Sequence, residues 1–318
     1  MTTHPLRVAL YGSWPAHQRQ AWWDALTTAA PECVWVASPE PQQVLDAVVV
    51  GSLPPGALRD VRGVRLIQSL WAGVDRLLGD PELPGGAAIA RMVDPFMTQA
   101  MTQTALWAVL GVHRRFFDYA HQQRQGVWLT LPQRRAQDCR ILILGLGTLG
   151  RQVASALSAA GYAVSGWRQA NPDLTQTPGS VPVLCGMQSL MSELTRTHIL
   201  INLLPLTPHT RGILSRRIFE ALPPGAALIN LARGAHLVEQ DLLDAVQSGH
   251  IAHAVLDVFS TEPLPASHAF WSHPRITVLP HIAALTDIGS AAQVVAANLR
   301  RLHSGQALMH LVDRQRGY

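Results

Sequence analysis

The chain contains 318 residues, of which 48% are apolar and 14% charged, so it can bury two domain cores and is not a disordered protein. Its formal net charge is only +4, and no cluster of about five to eight basic residues occurs, which argues against nucleic-acid binding. All 25 basic side chains are arginine, which excludes chemistry that needs a lysine amine, such as Schiff-base catalysis and phosphate binding by a P-loop.

The first part of the chain alternates short strand-like runs with helical segments. In chain order, the sequence predicts a strand at Arg7–Tyr11, a helix at Ala16–Ala30, strands within Val44–Val50, Arg65–Leu70 and Ala87–Arg91, and one long helix from Pro95 to about Arg124. Glycine and proline separate these elements. Because strands that alternate with helices form parallel sheets covered on both faces, this pattern predicts an α/β domain.

A second series of strands and helices follows. Strands are predicted at Ile141–Leu144, Ala163–Trp167, His198–Leu204, Ala226–Asn230, Ala252–Asp257 and Ile276–Leu279, with helices at Leu149–Ala160, Gln188–Thr195 and Gln240–Ser248. A last helix, Asp287–Leu302, comes after this series is complete and is predicted to return to the first domain. The first domain is therefore expected to comprise residues 1–97 and 287–318, and the second residues 98–286.

A glycine-rich turn opens the second series. The apolar run Ile141–Leu144 leads directly into a G-x-G-x-x-G motif formed by Gly145, Gly147 and Gly150. In such a motif the first glycine permits a tight turn, the second lets the backbone approach a pyrophosphate, and the third allows close packing of helix and strand. The motif alone also fits an ordinary turn, but its position between a strand and a helix favours a dinucleotide site.

The residue after the next predicted strand bears on the choice of dinucleotide. NAD enzymes place an acidic residue about 20 residues after the glycine motif, where it binds the ribose 2′-hydroxyl. Here Arg168 follows that strand, and the acid Asp173 comes only later. Because arginine pairs with phosphate, the sequence favours NADP over NAD, although a surface arginine and NAD binding remain open alternatives.

Polar residues follow three further strands of the second series. Arg233 is the fifth residue of the run INLARG, Asp257 and Glu262 belong to LDVFSTEPLP, and His281 belongs to LPHIAA. Each residue taken singly fits a surface or loop role. Because parallel strands end at a common edge, where doubly wound sheets bind ligands, the four side chains are predicted to meet there.

The motifs together resemble the D-isomer-specific 2-hydroxyacid dehydrogenase family, over essentially the whole chain. The segments WAGVD at Trp71–Asp75 and NLLPLTPHT at Asn202–Thr210 are similar to its glyoxylate/hydroxypyruvate reductase A subgroup. The resemblance implies an α/β fold with two doubly wound parallel-sheet domains, in which a Rossmann-type nucleotide domain is inserted into a flavodoxin-like substrate domain. It also implies a homodimer, with contacts from the Pro95–Arg124 helix and the Gln125–Pro132 segment.

The resemblance also implies roles for individual residues. Arg233 is expected to bind the substrate carboxylate, His281 to be the general acid and base, and Glu262 to hold the imidazole. The cofactor-binding residues implied are Gly145, Gly147, Thr148, Leu149, Gly150, Arg168, Leu231, Ala232 and Asp257, and the turn at Ala72 and Gly73 is expected to bind substrate carboxylate through backbone N–H groups.

The expected function is NADPH-dependent reduction of small 2-oxo acids, glyoxylate to glycolate and hydroxypyruvate to glycerate, with His281 as the general acid. A dehydrogenase of another 2-hydroxy acid (phosphoglycerate-like, branched or aromatic) and a non-enzymatic dinucleotide-sensing protein remain alternatives. Three widely spaced cysteines without a CxxC pair predict a reducing compartment and no zinc ribbon or other metal site. With no signal-like start and no long apolar run, the protein is expected in the cytoplasm and not in a membrane.

Overall fold

The computed structural model describes residues 4–169 and 181–317, so Asp173 lies outside the described residues. The chain forms two compact units, one from residues 1–97 and 286–318 and the other from residues 98–285. Within the described ranges, no helix is both long enough and apolar enough to cross a membrane.

The strands are β1 (Arg7–Tyr11), β2 (Val34–Val36), β3 (Ala47–Val50), β4 (Leu66–Ser69), β5 (Ala88–Ala90), β6 (Arg140–Leu144), β7 (Ala163–Arg168), β8 (Val183–Cys185), β9 (Ile199–Asn202), β10 (Ala226–Asn230), β11 (Ile251–Leu256) and β12 (Ile276–Val278). The helices are α1 (Ala16–Ala29), α2 (Asp75–Leu78), α3 (Pro95–His113), α4 (Phe116–Arg124), α5 (Thr148–Ala159), α6 (Gly186–Leu194), α7 (Arg216–Ala221), α8 (Glu239–Gln247) and α9 (Ile288–Ser304). Short 3₁₀ turns occur at Ala136–Asp138, Gly234–His236 and Ala269–Trp271.

The first unit contains a parallel five-stranded sheet in the order β2-β1-β3-β4-β5, which is the flavodoxin-like order. Strands β3 and β4 are buried along their whole length, as expected for central strands of a sheet covered on both faces. The C-terminal helix α9 belongs to this unit and packs against α1. Its buried Asn298 donates from Nδ2 to Gln68 Oε1 in β4 over 2.7 Å, which ties the end of the chain to this sheet.

The second unit contains a parallel seven-stranded sheet in the order β12-β11-β10-β9-β6-β7-β8. Counted from β6, this order is the Rossmann order with one further strand at the β12 edge. Together the two sheets confirm the predicted fold class, a pair of doubly wound parallel α/β domains.

The strand register of the second unit aligns the carboxyl ends of five strands. Leu144 of β6 pairs with Asn202 of β9, Asn202 pairs with Asn230 of β10, Asn230 pairs with Leu256 of β11, and Leu256 pairs with Val278 of β12. The loops that follow these strands therefore leave the sheet at one edge, where doubly wound sheets bind their ligands.

The structure corrects the prediction of one long helix between Pro95 and Arg124. The segment forms two helices, α3 and α4, because Arg115 adopts the left-handed conformation with φ of 62° and interrupts the helical turn. The three-residue edge strands β2 and β8 were not predicted either. Such short edge strands carry too few residues for the apolar pattern of a buried strand to appear.

Candidate active site

The glycine turn after β6 contains two glycines that the protein's own packing requires. Gly145 has a φ of 97°, and a Cβ atom there would lie 2.7 Å from the carbonyl oxygen of Leu203. A Cβ atom on Gly150 would overlap the carbonyl oxygen of Gly145. Both positions therefore need glycine for local steric reasons, as the motif predicts.

Gly147 differs from these two glycines, because a Cβ atom there would meet nothing within 4 Å. Its φ of −72° is also accessible to other residues, so packing within the protein does not explain the glycine. It caps the N-terminus of α5, which begins at Thr148 and continues through Leu149. An open backbone at a helix N-terminus fits the pyrophosphate of a dinucleotide, which needs close approach to main-chain N–H groups.

Arg168 lies at the end of β7 and reaches back to the glycine turn. Its Nη2 atom donates to the carbonyl oxygen of Leu146 over 2.8 Å. Leu146 is itself buried against Gly166, where any larger residue would overlap its side chain. This contact holds a half-buried guanidinium beside the turn, where it can bind an anionic group of a dinucleotide.

His281 and Glu262 are in direct contact. His281 Nδ1 lies 2.8 Å from Glu262 Oε2, and Glu262 Oε1 accepts a hydrogen bond of 2.9 Å from the backbone N–H of Phe259. A carboxylate can only accept, so the imidazole donates from Nδ1 and leaves Nε2 for other partners. About half of the His281 side chain is exposed (49%), so the imidazole is accessible to a substrate.

Asp257 fixes the backbone around His281. Its two carboxylate oxygens accept hydrogen bonds from the N–H groups of Ile282 (2.7 Å) and Ala283 (2.9 Å), directly after His281. His281 has a φ of 57°, a strained conformation that persists only where the surroundings fix it. Burial raises the pKa of the Asp257 carboxyl, although the N–H groups of Ala283 and Ile282 and the charge of His281 stabilise the carboxylate. In the structure Asp257 therefore orients the loop that carries His281.

Arg233 lies on the loop after β10, beside the loop that carries Asp257 and Glu262. Its Nη1 donates to the carbonyl oxygen of Ala232 over 2.7 Å, and its side chain is partly exposed. The next residue must be glycine, because a Cβ atom on Gly234 would overlap the backbone of Phe259. The loops after β10 and β11 are thus packed backbone to backbone, which brings Arg233 to the same region as the His281–Glu262 pair.

Other predicted residues lie at two further positions. Leu231 and Ala232 are both buried and come directly after β10. Ala72 and Gly73 belong to the turn after β4 in the first unit, where the carbonyl oxygen of Trp71 accepts a hydrogen bond of 3.0 Å from the N–H of Met92. Within the described ranges, no group of three or more His, Cys, Asp or Glu side chains could hold a metal ion.

A buried polar cluster next to Arg233 was not predicted from the sequence. Asn202, Asn230 and His236 are each 0% exposed and are joined by hydrogen bonds of 3.0 Å from Asn202 Nδ2 to Asn230 Oδ1 and to His236 Nδ1. The available signal was an asparagine at the end of each of two otherwise apolar strands, ILIN and AALIN. Nothing in the sequence distinguished His236 from the other histidines, of which the chain has 14 in all.

Comparisons with known proteins identify the family to which the chain belongs. Residues 106–283 match the family model of the D-isomer specific 2-hydroxyacid dehydrogenase, NAD binding domain. The glyoxylate/hydroxypyruvate reductase A of Serratia proteamaculans (strain 568) is 39% identical over 310 residues, which cover 96% of this chain and 98% of the relative.

Two solved structures are similar over nearly the whole chain. A D-isomer specific 2-hydroxyacid dehydrogenase from Xanthobacter autotrophicus Py2, in complex with NADPH and MES, is 33% identical, covers 99% of this chain and 100% of its own, and has a TM-score of 0.91. An NADPH-dependent glyoxylate/hydroxypyruvate reductase from Sinorhizobium meliloti, in complex with NADP and sulfate, is 31% identical, covers 98% and 100%, and has a TM-score of 0.89. The chain therefore belongs to the D-isomer specific 2-hydroxyacid dehydrogenase family.

Proposed function

We propose that this protein catalyses the NADPH-dependent reduction of small 2-oxo acids, glyoxylate to glycolate and hydroxypyruvate to glycerate. The observation that carries the proposal is the 2.8 Å contact between His281 Nδ1 and Glu262 Oε2, at the sheet edge that also carries the glycine turn. An accessible imidazole held by a carboxylate can give a proton to a carbonyl oxygen beside a dinucleotide. The relatives from Serratia proteamaculans and Sinorhizobium meliloti, both named glyoxylate/hydroxypyruvate reductases, support the substrate class.

Substrate binding depends on Arg233. The planar guanidinium can bind the substrate carboxylate through two parallel hydrogen bonds and can also polarise the neighbouring C2 carbonyl. Ala72 and Gly73 remain predicted carboxylate ligands, because their turn follows a parallel strand and Gly73 allows close approach of the backbone.

We propose accordingly that residues 98–286 form the dinucleotide domain and that residues 1–97 and 287–318 form the substrate domain.

His281 supplies the proton. Bound NADPH supplies the hydride that forms the new C–H bond at C2. The electron pair of the C2 carbonyl π bond then moves to oxygen, which takes the proton from His281 Nε2 and becomes the hydroxyl group. Glu262 stabilises the imidazolium before the transfer and keeps the ring oriented, while solvent returns a proton to Nε2 afterwards. The balance is one 2-oxo acid, one NADPH and one proton giving one 2-hydroxy acid and one NADP⁺.

The cofactor is expected to bind along the carboxyl edge of β6, β7, β10 and β11. The pyrophosphate would be held by the glycine turn and the first turn of α5, at Gly145, Gly147, Thr148, Leu149 and Gly150. Arg168 would pair with the 2′-phosphate, and Leu231, Ala232 and Asp257 would surround the nicotinamide. Solved relatives in complex with NADPH or NADP support NADP as the preferred cofactor, with NAD as an alternative.

A steady-state panel tests the function directly. We expect purified protein to oxidise NADPH in the presence of glyoxylate and of hydroxypyruvate, with higher kcat/KM for NADPH than for NADH. The panel should include phosphorylated, branched and aromatic 2-oxo acids, since higher kcat/KM on one of these would reassign the substrate. Folded protein that binds NADPH but reduces none of the acids would contradict the enzymatic proposal and favour a dinucleotide-sensing role.

We also propose that the protein is a cytoplasmic homodimer. The segment after α4 carries exposed apolar side chains, with Trp128 100% exposed and Val127 and Leu129 also exposed, which a second copy would cover. Cys33, Cys139 and Cys185 are free thiols, which suits a reducing compartment. Light scattering of wild type and of the variant Trp128→Ser tests the assembly: a monomeric wild type contradicts it.

A further inference from the structure

Three fully buried polar side chains, Asn202, Asn230 and His236, form one hydrogen-bonded cluster at the carboxyl ends of β9 and β10. Buried polar groups are costly unless each finds partners, so a cluster that is satisfied throughout fixes one arrangement of the surrounding chain. The proposed reaction uses none of these side chains, and their position next to Arg233 requires a separate explanation.

Backbone contacts fix the orientation of both amides. Asn202 Oδ1 accepts from the N–H of Leu204 (3.3 Å), and Asn230 Oδ1 accepts from the N–H of Ala232 (3.3 Å), so both Nδ2 groups point the other way. Asn202 Nδ2 then uses its two hydrogens for Asn230 Oδ1 and His236 Nδ1. Because His236 Nδ1 must accept, the ring proton lies on Nε2, 3.3 Å from the carbonyl oxygen of Pro205.

The cluster ends on the backbone of Arg233. Asn230 Nδ2 donates to the carbonyl oxygen of Arg233 over 3.2 Å, and the N–H of His236 donates to the same oxygen over 3.2 Å. The carbonyl oxygen of His236 in turn accepts from the N–H of Leu214 over 2.9 Å, which anchors the far end of the loop. The short loop that carries Arg233 is therefore held from both sides by members of the cluster.

We propose that His236 is a positioning residue for Arg233, acting through Asn202 and Asn230. This inference rests on the proposed function, in which Arg233 binds the carboxylate of the 2-oxo acid. Loss of the acceptor at His236 Nδ1 leaves an Asn202 hydrogen without its partner and loosens the amide of Asn230, which holds the backbone on both sides of Arg233. A displacement of a binding group by about 1 Å is enough to lower catalysis about a hundredfold.

A double-mutant cycle between His236→Phe and Arg233→Ala tests this. We expect H236F alone to lower kcat/KM for glyoxylate by about tenfold to a hundredfold, through a higher KM for the acid and a lower kcat, with the dissociation constant for NADPH changed less than about twofold. In the R233A background the same substitution should lower kcat/KM less than about threefold, because the side chain that it positions is gone. Equal losses in both backgrounds, or no loss in either, would overturn the proposal.

Two further variants separate positioning from general damage. H236N keeps an amide near the position of Nδ1 and should recover most of the activity, whereas H236Q reaches only toward Pro205 and should not. This pair also replaces H236F if the phenylalanine variant does not fold. The matched control is H250F: His250 Nε2 also binds carbonyl oxygens, those of Phe219 (2.7 Å) and Leu222 (3.0 Å), but lies before β11, at the opposite end of that strand from Asp257. The H250F substitution should change kcat/KM for glyoxylate by the same factor in the wild-type and R233A backgrounds.

The cycle can also be run without turnover. Oxalate resembles the planar carboxylate end of a 2-oxo acid, and its binding to the protein with NADPH can be measured by calorimetry. If the wild type reduces no 2-oxo acid, the proposed function fails while the coupling of His236 and Arg233 in oxalate affinity still decides the inference. Absence of that coupling overturns it, and its presence supports it.

Discussion

The carboxyl edge of the seven-stranded sheet is built in two different ways. At β6 and β7 the candidate site consists mainly of glycines: packing requires glycine at 145 and 150, and a Cβ atom on Gly147 would meet nothing within 4 Å. One guanidinium, that of Arg168, lies beside the turn. At β10 to β12 the site consists of charged side chains that backbone hydrogen bonds hold in place, as for Glu262 and Phe259.

This difference follows from what each region would bind. A pyrophosphate is large and carries its own charge, so the protein needs only space and N–H groups directed at it. A proton and a carboxylate require particular atoms at particular positions, so each side chain needs its own support. Substitutions of Arg233, Glu262 and His281 should therefore alter turnover, whereas those at β6 and β7 should alter cofactor affinity.

The largest effect is expected for His281→Gln. Removal of the acid and base should lower kcat by about 10²–10⁴-fold, because Gln cannot carry the transferred proton. The dissociation constant for NADPH, measured by nicotinamide fluorescence, should change little, since the glycine turn is untouched. A near-normal kcat in this variant would remove His281 from the proton transfer.

Gly147→Ala tests the first region. Its φ suits alanine and its Cβ would meet no protein atom, so the melting temperature should stay within a few degrees of the wild-type value. NADPH affinity should fall about tenfold or more, because the methyl group occupies space that a phosphate needs. Gly150→Ala is the matched control: its Cβ would overlap the Gly145 carbonyl oxygen, so this variant should lose thermal stability. If both variants behaved alike, the distinction between the two glycines would be wrong.

A smaller effect is expected for Arg168→Asp. Reversal of the charge beside the turn should weaken NADPH binding about tenfold more than NADH binding, since only NADPH carries the 2′-phosphate. Arg168→Gln serves as the control that removes the charge without adding repulsion, and it should lie between the wild type and the aspartate variant. Equal losses for both cofactors would contradict the pairing of Arg168 with a phosphate.

The two regions also differ in how far the sequence predicted them. The position of the glycine turn was predicted, and so was the need for glycine at 145 and 150, because the local backbone geometry requires it there. Gly147 meets no such requirement within the protein, and the motif predicts it only as space for a ligand. The strand pattern predicted that Glu262 and His281 lie at the same sheet edge. Their direct contact depends on the pairing of β11 with β12, and only the family resemblance indicated that contact. The role of Asp257 in holding residues 282 and 283 had no sequence signal at all.

The predictions of fold and packing that failed also concerned features without a local sequence signal. Neither glycine nor proline lies between α3 and α4, where Arg115 interrupts the helix, so the sequence pattern predicts one continuous helix. The cluster of Asn202, Asn230 and His236 joins residues that are distant in sequence. The residue type of a polar side chain in an apolar strand does not identify its hydrogen-bond partner. Local rules predicted the elements, whereas tertiary hydrogen bonds determined where the functional side chains lie.

His253 extends the comparison to the interior of the same sheet. It lies within β11, is 9% exposed, stacks on Phe117 with ring centroids 4.6 Å apart, and contacts Thr277 Oγ1 from Nε2 over 2.9 Å. Burial lowers the pKa of His253 to about 4; the charges of His273 and Arg275 act in the same direction, and Asp118 opposes them. The exposed His281 at the edge is available for proton transfer, whereas this buried ring is held neutral.

The expected consequence for His253 is a loss of stability in mild acid. Because its pKa is near 6.5 in the unfolded chain and about 4 in the folded one, the unfolded state binds more protons below about pH 6.5. The free energy of unfolding should therefore fall as the pH decreases through this range, by about 1.4 kcal/mol at about pH 5.5. Urea unfolding of wild type and His253→Gln at about pH 8 and pH 5.5 measures this contribution, since the glutamine amide can still reach Thr277 but does not titrate. Equal pH dependence in the two proteins would show that His253 is already solvated in the folded state, and that burial within β11 does not hold it neutral.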